Sequence, residues 1–264
     1  MKIKMHGAYD HFPNHNPLPF EPYIDCYNDW QIKNCIEPNS IALMIEPRSL
    51  QPENYKWLEK NYHKFRYVFT HDSKLLKKCD NAKLIIWGFG NGNYTLFSDK
   101  PKTKCISMVC SNKEMCQEHK DRITLARRLN ENIPKVDVLG TVDGGKWVDT
   151  SQIYPDYKYS IAFENYIDDY WMTEKLFNCF ANKTIPIYVG AKKVNEFFNM
   201  AGILTFKYWE SIPSLIKNVD FEKLYNHPKV QQAIDDNYNR VKQFGTFEDW
   251  FFREYGELLD ECNV

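Results

Sequence analysis

Near the middle of the chain an acid, a base and two amide- or hydroxyl-bearing residues fall close together, in a pattern that could hold an anion. The run from Tyr159 to Gly190 reads as a buried strand (Tyr159 to Phe163), a polar loop (Glu164 to Trp171), a helix from Thr173 to Ala181 and a second strand (Ile185 to Val189), which makes a βαβ unit. Thr173 is placed to cap the helix, Glu174 and Lys175 fall in its first turn, and Leu176, Phe177 and Phe180 form its apolar stripe. A polar loop that leaves a parallel strand and feeds a helix brings free amides and the positive end of the helix dipole to one point. With Lys175 added, that point suits a diphosphate. The other reading is an ordinary crossover in which the Glu-Lys pair only solvates a helix start.

If that diphosphate is a leaving group, its growing charge must be relieved, and a hydroxyl that attacks in its place needs a base. Charge can be relieved by a divalent metal on an Asp-x-Asp triplet, but the sequence contains no such triplet. Fixed cations and helix N-termini do the same work with little reorganisation in a dry cleft. Arg122, at the start of a helix expected over residues 121–130, is the second candidate cation, because a guanidinium can donate two hydrogen bonds to one phosphate. Arg127 and Arg128 read as a solvated face of that helix. Glu46 ends the strand Ile41 to Ile45, at the carboxyl edge where parallel sheets bind ligands, and is the candidate base; otherwise it is a solvated turn residue. His6, His11 and His15 border a loop dense in Asn and Pro, where Pro13 keeps His11 and His15 off one helix face. No metal site is expected there; the loop reads as an acceptor-binding loop, with His11 as the candidate contact, or as a plain turn.

These residues need a frame, and 264 residues suffice for one large domain or two small Rossmann-like lobes. A first parallel-sheet lobe is expected from the alternation of strands (Lys2 to His6, Ser40 to Ile45, Tyr67 to Thr70, Lys83 to Trp87) with helices (Asn54 to Tyr62, and one opened by Asp72 or Ser73). The aromatic, charged stretch from Asp25 to Lys33 reads as helical. Pro101-Lys-Thr-Lys104 marks the crossing to a second lobe, with a strand at Cys105 to Cys110 and another at Val136 to Leu139. A long helix from His227 to Gly245 follows the central unit, and a last helix, Thr246 to Leu259, is expected to pack back on the first lobe. The expected domains are therefore residues 1–100, 101–245 and 246–264.

Composition narrows the partners. A formal charge of −1 gives no footing for nucleic acid as a bulk partner. Aromatic residues reach 16%, and while most serve the core, Trp and Tyr also make platforms for sugar rings. Eight scattered cysteines without a C-x-x-C pair read as reduced packing residues. No apolar run approaches the ~20 residues that cross a bilayer, and no signal-peptide layout opens the chain, so the expected location is the cytoplasm or the cytoplasmic face of a membrane. The Asn-x-Thr sequons at Asn93 and Asn182 are then chance matches.

Phe163-Glu-Asn165, seven residues, Thr173-Glu-Lys175, then Ile185-Pro-Ile-Tyr-Val-Gly-Ala191 and Phe198-Asn199 together resemble the donor-binding signature of the α-1,3-fucosyltransferases, glycosyltransferase family 10. The resemblance implies an α/β fold of the GT-B type, two Rossmann-like lobes facing a central cleft, in a bacterial-type soluble member. It also implies an inverting, metal-independent transfer of fucose from GDP-fucose to a hydroxyl of a glycan acceptor, with no cofactor. By the same resemblance Arg122, seven residues before Leu129, clasps the phosphates with Lys175, Glu174 takes the ribose hydroxyls, and Asn165 contacts the donor. Trp171 stands where the family usually has Tyr, which keeps an aromatic wall and loses the phenol. A looser likeness around Glu46-Pro47 and Phe69-Thr-His-Asp-Ser73 supports Glu46 as the base. Two other readings stay open: another activated deoxysugar on the same fold, or a catalytically silent nucleotide-sugar or glycan-binding protein. The acceptor loops are placed at Pro13 to Pro19 and Gly88 to Asn93, with acceptor identity, peripheral membrane association and oligomeric state open.

Overall fold

Short runs rich in β-branched and aromatic residues pair into two parallel five-stranded sheets in the computed structural model, which describes residues 1–36, 39–90 and 97–260. The first sheet holds β1 (Ile3–His6), β2 (Ile24–Asn28), β3 (Ile41–Met44), β4 (Tyr67–Thr70) and β5 (Ala82–Leu84) in chain order. The crossover helices α1 (Pro52–Asn61) and α2 (Ser73–Lys78) join its last three strands. Every residue of β3 is buried, as expected of a central parallel strand covered on both faces. The Asp72 side chain caps α2 by accepting from the Leu75 amide at 2.8 Å.

The second sheet runs β10-β9-β8-β6-β7, from β6 (Lys104–Val109), β7 (Val136–Leu139), β8 (Tyr157–Phe163), β9 (Ile185–Val189) and β10 (Leu204–Thr205). Its helices are α3 (Gln117–Asn132), α4 (Thr150–Ile153), α5 (Glu174–Ala181), α6 (Ile212–Asn218), α7 (Phe221–Tyr225) and α8 (Pro228–Phe244). After β7 the chain returns to the other side of β6 and continues outward from there. The order therefore reverses between β6 and β8, and the loops leaving the carboxyl ends of those two strands diverge around a crevice, where open α/β sheets bind ligands.

A last helix, α9 (Phe247–Asp260), follows Gly245 and lies against the first sheet. Phe251 sits 4.8 Å from Phe12 and 4.7 Å from Phe69 between ring centroids, and the Tyr255 hydroxyl donates to the Leu84 carbonyl at 2.5 Å. Leu176 and Phe177 of α5 belong to the same buried cluster as Phe12, Phe69 and Phe251, so apolar packing is continuous from one sheet to the other. Glu248, buried on α9, accepts from Asn14 through its amide (3.0 Å) and side chain (2.8 Å) and pairs with His15 at 2.8 Å, which pins the turn Pro13–His15.

Three expectations need correction. The stretch from Asp25 to Lys33 is not a helix: Ile24–Asn28 is β2, paired on both sides with β1 and β3, and only Asp29–Asn34 winds into a 3-10 turn. Its charged residues suggested a helix, but ladder pairing with two buried neighbours outweighs that local preference. Helix α3 begins at Gln117 rather than Asp121, which puts Arg122 in its second turn. The strand expected over Lys83 to Trp87 pairs only as Ala82–Leu84. The loop guess at Gly88 to Asn93 and the Asn93 sequon extend outside the described residues, and Asn182 is fully buried against the end of α5. No helix among the described residues is long and apolar enough to cross a membrane.

Because Phe251 is fully buried, Phe251→Ala removes a ring from the packing that joins α9 to the first sheet. The expected loss is about 3–5 kcal/mol of unfolding free energy, read as a lower urea midpoint at unchanged slope. A midpoint like that of the parent would show that α9 does not contribute in this way.

Candidate active site

A cavity of about 700 Å³ opens between the sheets at the crevice, and it is lined by Glu46, Arg122, Asn165, Trp171, Thr173, Glu174, Lys175 and His11. The eight residues singled out from the sequence thus meet around one space. They come from four segments: the end of β3, the second turn of α3, the start of α5 with the loop before it, and the loop after β1.

The start of α5 is organised by Glu164, which follows β8 and is fully buried. Its carboxylate accepts from the Thr173 amide at 2.9 Å and the Thr173 hydroxyl at 2.7 Å, and lies 3.6 Å from the Lys175 ammonium. Thr173 is the N-cap, as its type and position require. The open nest of amides expected at this helix start is therefore partly filled by the chain's own carboxylate. Lys175 Nζ is not a bare cation either: it donates to Glu174 at 2.9 Å and to the Thr173 hydroxyl at 3.1 Å. Burial would lower the Lys175 pKa, but Glu174 and Glu164 outweigh it and hold the ammonium protonated. Burial likewise favours neutral Glu174, yet the adjacent ammonium holds its carboxyl below the usual range.

Arg122 reaches the cavity from α3 while nearly buried, at 6% exposure. Its guanidinium donates to the Phe163 carbonyl at 3.4 Å and the Ser111 hydroxyl at 3.3 Å, and its Nε is buried with no partner. Asn165 and Trp171 act as a pair, since the indole N–H donates to the Asn165 side-chain oxygen at 2.9 Å. Trp171 also packs on His71, with ring centroids 4.2 Å apart, and so closes the cavity against the first sheet.

The opposite wall carries Glu46, whose carboxylate makes no hydrogen bond or ion pair to the described residues. Burial raises its pKa and Glu174 adds to the rise, while Lys175 and Lys113 oppose it. The backbone of Glu46 is clamped on both sides. Asp29 accepts from the amides of Ile45 (2.9 Å) and Glu46 (3.0 Å), and the Tyr55 hydroxyl donates to the Glu46 carbonyl at 2.8 Å. Asp29 holds this position with φ at 43°, a left-handed conformation that costs a non-glycine residue energy and tends to persist at functional sites. Burial pushes the Asp29 carboxyl up to about 7 despite the two amides. Farther out, Tyr9, Asp10, Trp30 and Trp87 complete the rim, and Tyr9 and Trp30 are exposed. His11 is buried beside them, 3.0 Å from the Asn28 side chain and edge-on to Trp87, with burial lowering its pKa to about 4.

Sequence reasoning missed Asp29, Ser111, Lys113, His119 and Asn178, all of which line the cavity. Only His119 left a local trace, standing three residues before Arg122 on what proves to be the same helix. Among the described residues no group of three His, Cys, Asp or Glu side chains is placed to hold a metal ion. The cavity as built offers two fixed cations on one wall and a carboxylate of raised pKa on the other. That combination can hold a leaving anion and take a proton from a nucleophile.

Two parallel-sheet α/β lobes that face each other across such a cleft make the GT-B fold of glycosyltransferases, and the protein has that fold. The sequence model of glycosyltransferase family 10 (fucosyltransferase), C-terminal part, matches residues 99–230, half of the chain, and the chain belongs to that family. Solved structures agree on the fold. An α1,3-fucosyltransferase superposes with a TM-score of 0.58 at 16% identity, covering 98% of this chain and 89% of that one. The crystal structure of an α1,3-fucosyltransferase with GDP-fucose gives 0.52 at 19% identity, over 86% of this chain and 72% of the other. TarM gives 0.59 at 11% identity, over 92% of this chain and 55% of its own. No curated protein matches the chain.

The clamp on Glu46 is open to test. Asp29→Ala removes both acceptor contacts, and displacement of Glu46 is expected to lower kcat by about 10- to 100-fold with donor affinity unchanged. Asp29→Asn keeps an oxygen for the two amides and should retain most of the activity. Equal losses in both variants would assign the effect to charge and not to position.

Proposed function

We propose that the protein transfers fucose from GDP-fucose to a hydroxyl of a glycan acceptor, with inversion and without a metal. The observation that carries the reading is the meeting of Arg122 and Lys175, from the helices that follow β6 and β8, with Glu46 across the same cavity. Family membership and a related fold in an α1,3-fucosyltransferase with GDP-fucose support the choice of donor.

On this reading residues 101–245 bind the nucleotide sugar, residues 1–100 face the acceptor, and residues 246–264 tie the last helix to the acceptor side. Arg122 and Lys175 hold the diphosphate, and Glu174 takes the ribose hydroxyls. Asn165, its side chain fixed by Trp171, borders the sugar. Thr173 sets the helix start, and His11 stands at the acceptor rim. Glu46 removes the proton from the acceptor hydroxyl as that oxygen attacks the anomeric carbon. The bond from that carbon to the diphosphate breaks on the opposite face, and the departing charge passes to the two cations. Attack and departure on opposite faces invert the centre in one step.

Glu46→Gln keeps the side-chain shape and removes the base. Turnover is expected to fall by about 100- to 10,000-fold while GDP-fucose affinity, measured by calorimetry, stays within a few-fold. Near-normal turnover would remove Glu46 from the reaction. The pH profile should show the same group. A raised Glu46 pKa means the base is protonated on the acid side, so kcat/KM should fall as pH drops through a value above the ordinary carboxylate range.

Lys175→Met deletes a charged donor and is expected to weaken GDP binding by about 10- to 100-fold. EDTA should leave turnover of the parent unchanged, and metal-dependent turnover would overturn the cation-based scheme. GDP-fucose binding with no transfer to any glycan acceptor would instead favour a silent binding protein, and preference for another activated deoxysugar would change the donor.

A further inference from the structure

His119 precedes Arg122 by one turn on α3, and the two side chains line the same cavity. The ring is only 4% exposed, its Nδ1 is buried without a hydrogen-bond partner, and Arg122 Nε is buried and unpaired as well. A buried donor or acceptor left without a partner costs about 1–3 kcal/mol, so native structures contain few of them. His119 and Arg122 stand one turn apart on α3 and both line the cavity, so a ligand seated there meets both side chains.

The surrounding charge indicates the chemistry of that ligand. The groups that act on the ring are Arg122 on its own helix, Lys175 at the start of α5 and Lys113 on the loop after β6. The acids that line the cavity are Asp10, Asp29, Glu46 and Glu174, the last already paired with Lys175, and none of them is among the groups that act on the ring. Burial, together with these cations, brings the imidazole down to about 4, so at neutral pH the ring is uncharged and carries one N–H. A neutral donor set among three cations complements an anion with several acceptor oxygens.

Resting on the donor reading above, we propose that His119 is a third ligand of the donor's diphosphate, its imidazole N–H donating to a phosphate oxygen next to the Arg122 guanidinium. The two negative charges of the diphosphate offset the field of the cations, so the imidazole gains basicity when the donor arrives. Between the free-state and bound-state pKa values the complex carries more protons than the free protein, so binding takes up protons and tightens as pH falls.

The test is calorimetric titration with GDP-fucose between about pH 5 and 8, in two buffers of different ionisation heat. GDP-fucose is the probe because its doubly esterified diphosphate does not itself titrate near neutrality. The parent is expected to bind more tightly on acidification with a fractional proton uptake. His119→Ala should bind about 10-fold more weakly at neutral pH. His119→Asn, which keeps a neutral donor, should hold most of the affinity and lose the imidazole's share of the uptake, leaving only what Glu46 contributes. Affinity of His119→Ala equal to the parent's, or proton uptake unchanged in His119→Asn, would overturn the proposal while the donor reading stands. Absence of GDP-fucose binding by the parent would sink both.

Discussion

A single buried carboxylate sets the geometry of the cavity. Glu164 follows β8 at zero exposure and turns its two oxygens to the Thr173 amide and hydroxyl, with Lys175 beyond them. Withdrawing an ionised carboxylate from water costs several kcal/mol, and removing one partner of such a buried group is far more damaging than replacing the whole set. Burial accordingly raises the Glu164 pKa, with the Lys175 ammonium opposing the rise. Because the group is stable only with those partners in place, the eight residues between Glu164 and Thr173 must return to it, and α5 must start where it does. Gly190 completes the arrangement, since a Cβ there would run into Glu164 and the Tyr188 hydroxyl.

The loop closed by Glu164 also joins the lobes. Asp168 accepts from the Ser73 amide at 2.8 Å and its hydroxyl at 2.5 Å, Ser49 donates to the Asn165 carbonyl at 3.3 Å, and the Gly88 amide donates to the Met172 carbonyl at 3.1 Å. These bonds cross from the loop after β8 to the segments that follow β3, β4 and β5. With the apolar cluster that runs through α5 and α9, they fix the separation between the wall that holds the cations and the wall that holds Glu46. Positioning of this kind matters for transfer because a displacement of about 1 Å between base and nucleophile can cost about 100-fold in rate.

What could be read from the sequence was local. The unit from Tyr159 to Gly190 declared itself through strand, cap and stripe, because each of those signals lies within a few residues of the element it specifies. Glu46 was found by the same logic, as the residue at which a buried run ends. Asp29 was not, because its role depends on the register between β2 and β3, which brings its carboxylate under the Ile45 and Glu46 amides from sixteen and seventeen residues away. His119 was lost for a different reason. The polar stretch before Asp121 lacks a capping side chain at Cys116 and reads as a loop, so the one-turn spacing to Arg122 went unseen. Of the partners of Lys175, Glu174 is adjacent and was legible as a Glu-Lys pair, whereas the approach of Glu164 depends on the fold of the whole loop.

Electrostatic linkage then ties the two walls together. Lys175 is the largest charge holding the Glu46 pKa down against burial, and Glu174 pushes it the other way. An anion that engages Lys175 cancels part of the cation's pull on Glu46, so the carboxylate becomes more basic when the opposite wall is filled. The gain is in the useful direction, because a base matched to the working pH transfers a proton more effectively than one ionised far below it. On the proposed reaction the donor's diphosphate is that anion. The pair that holds the leaving group therefore also strengthens the base, at the moment when both substrates are in the cleft and water has been displaced from it.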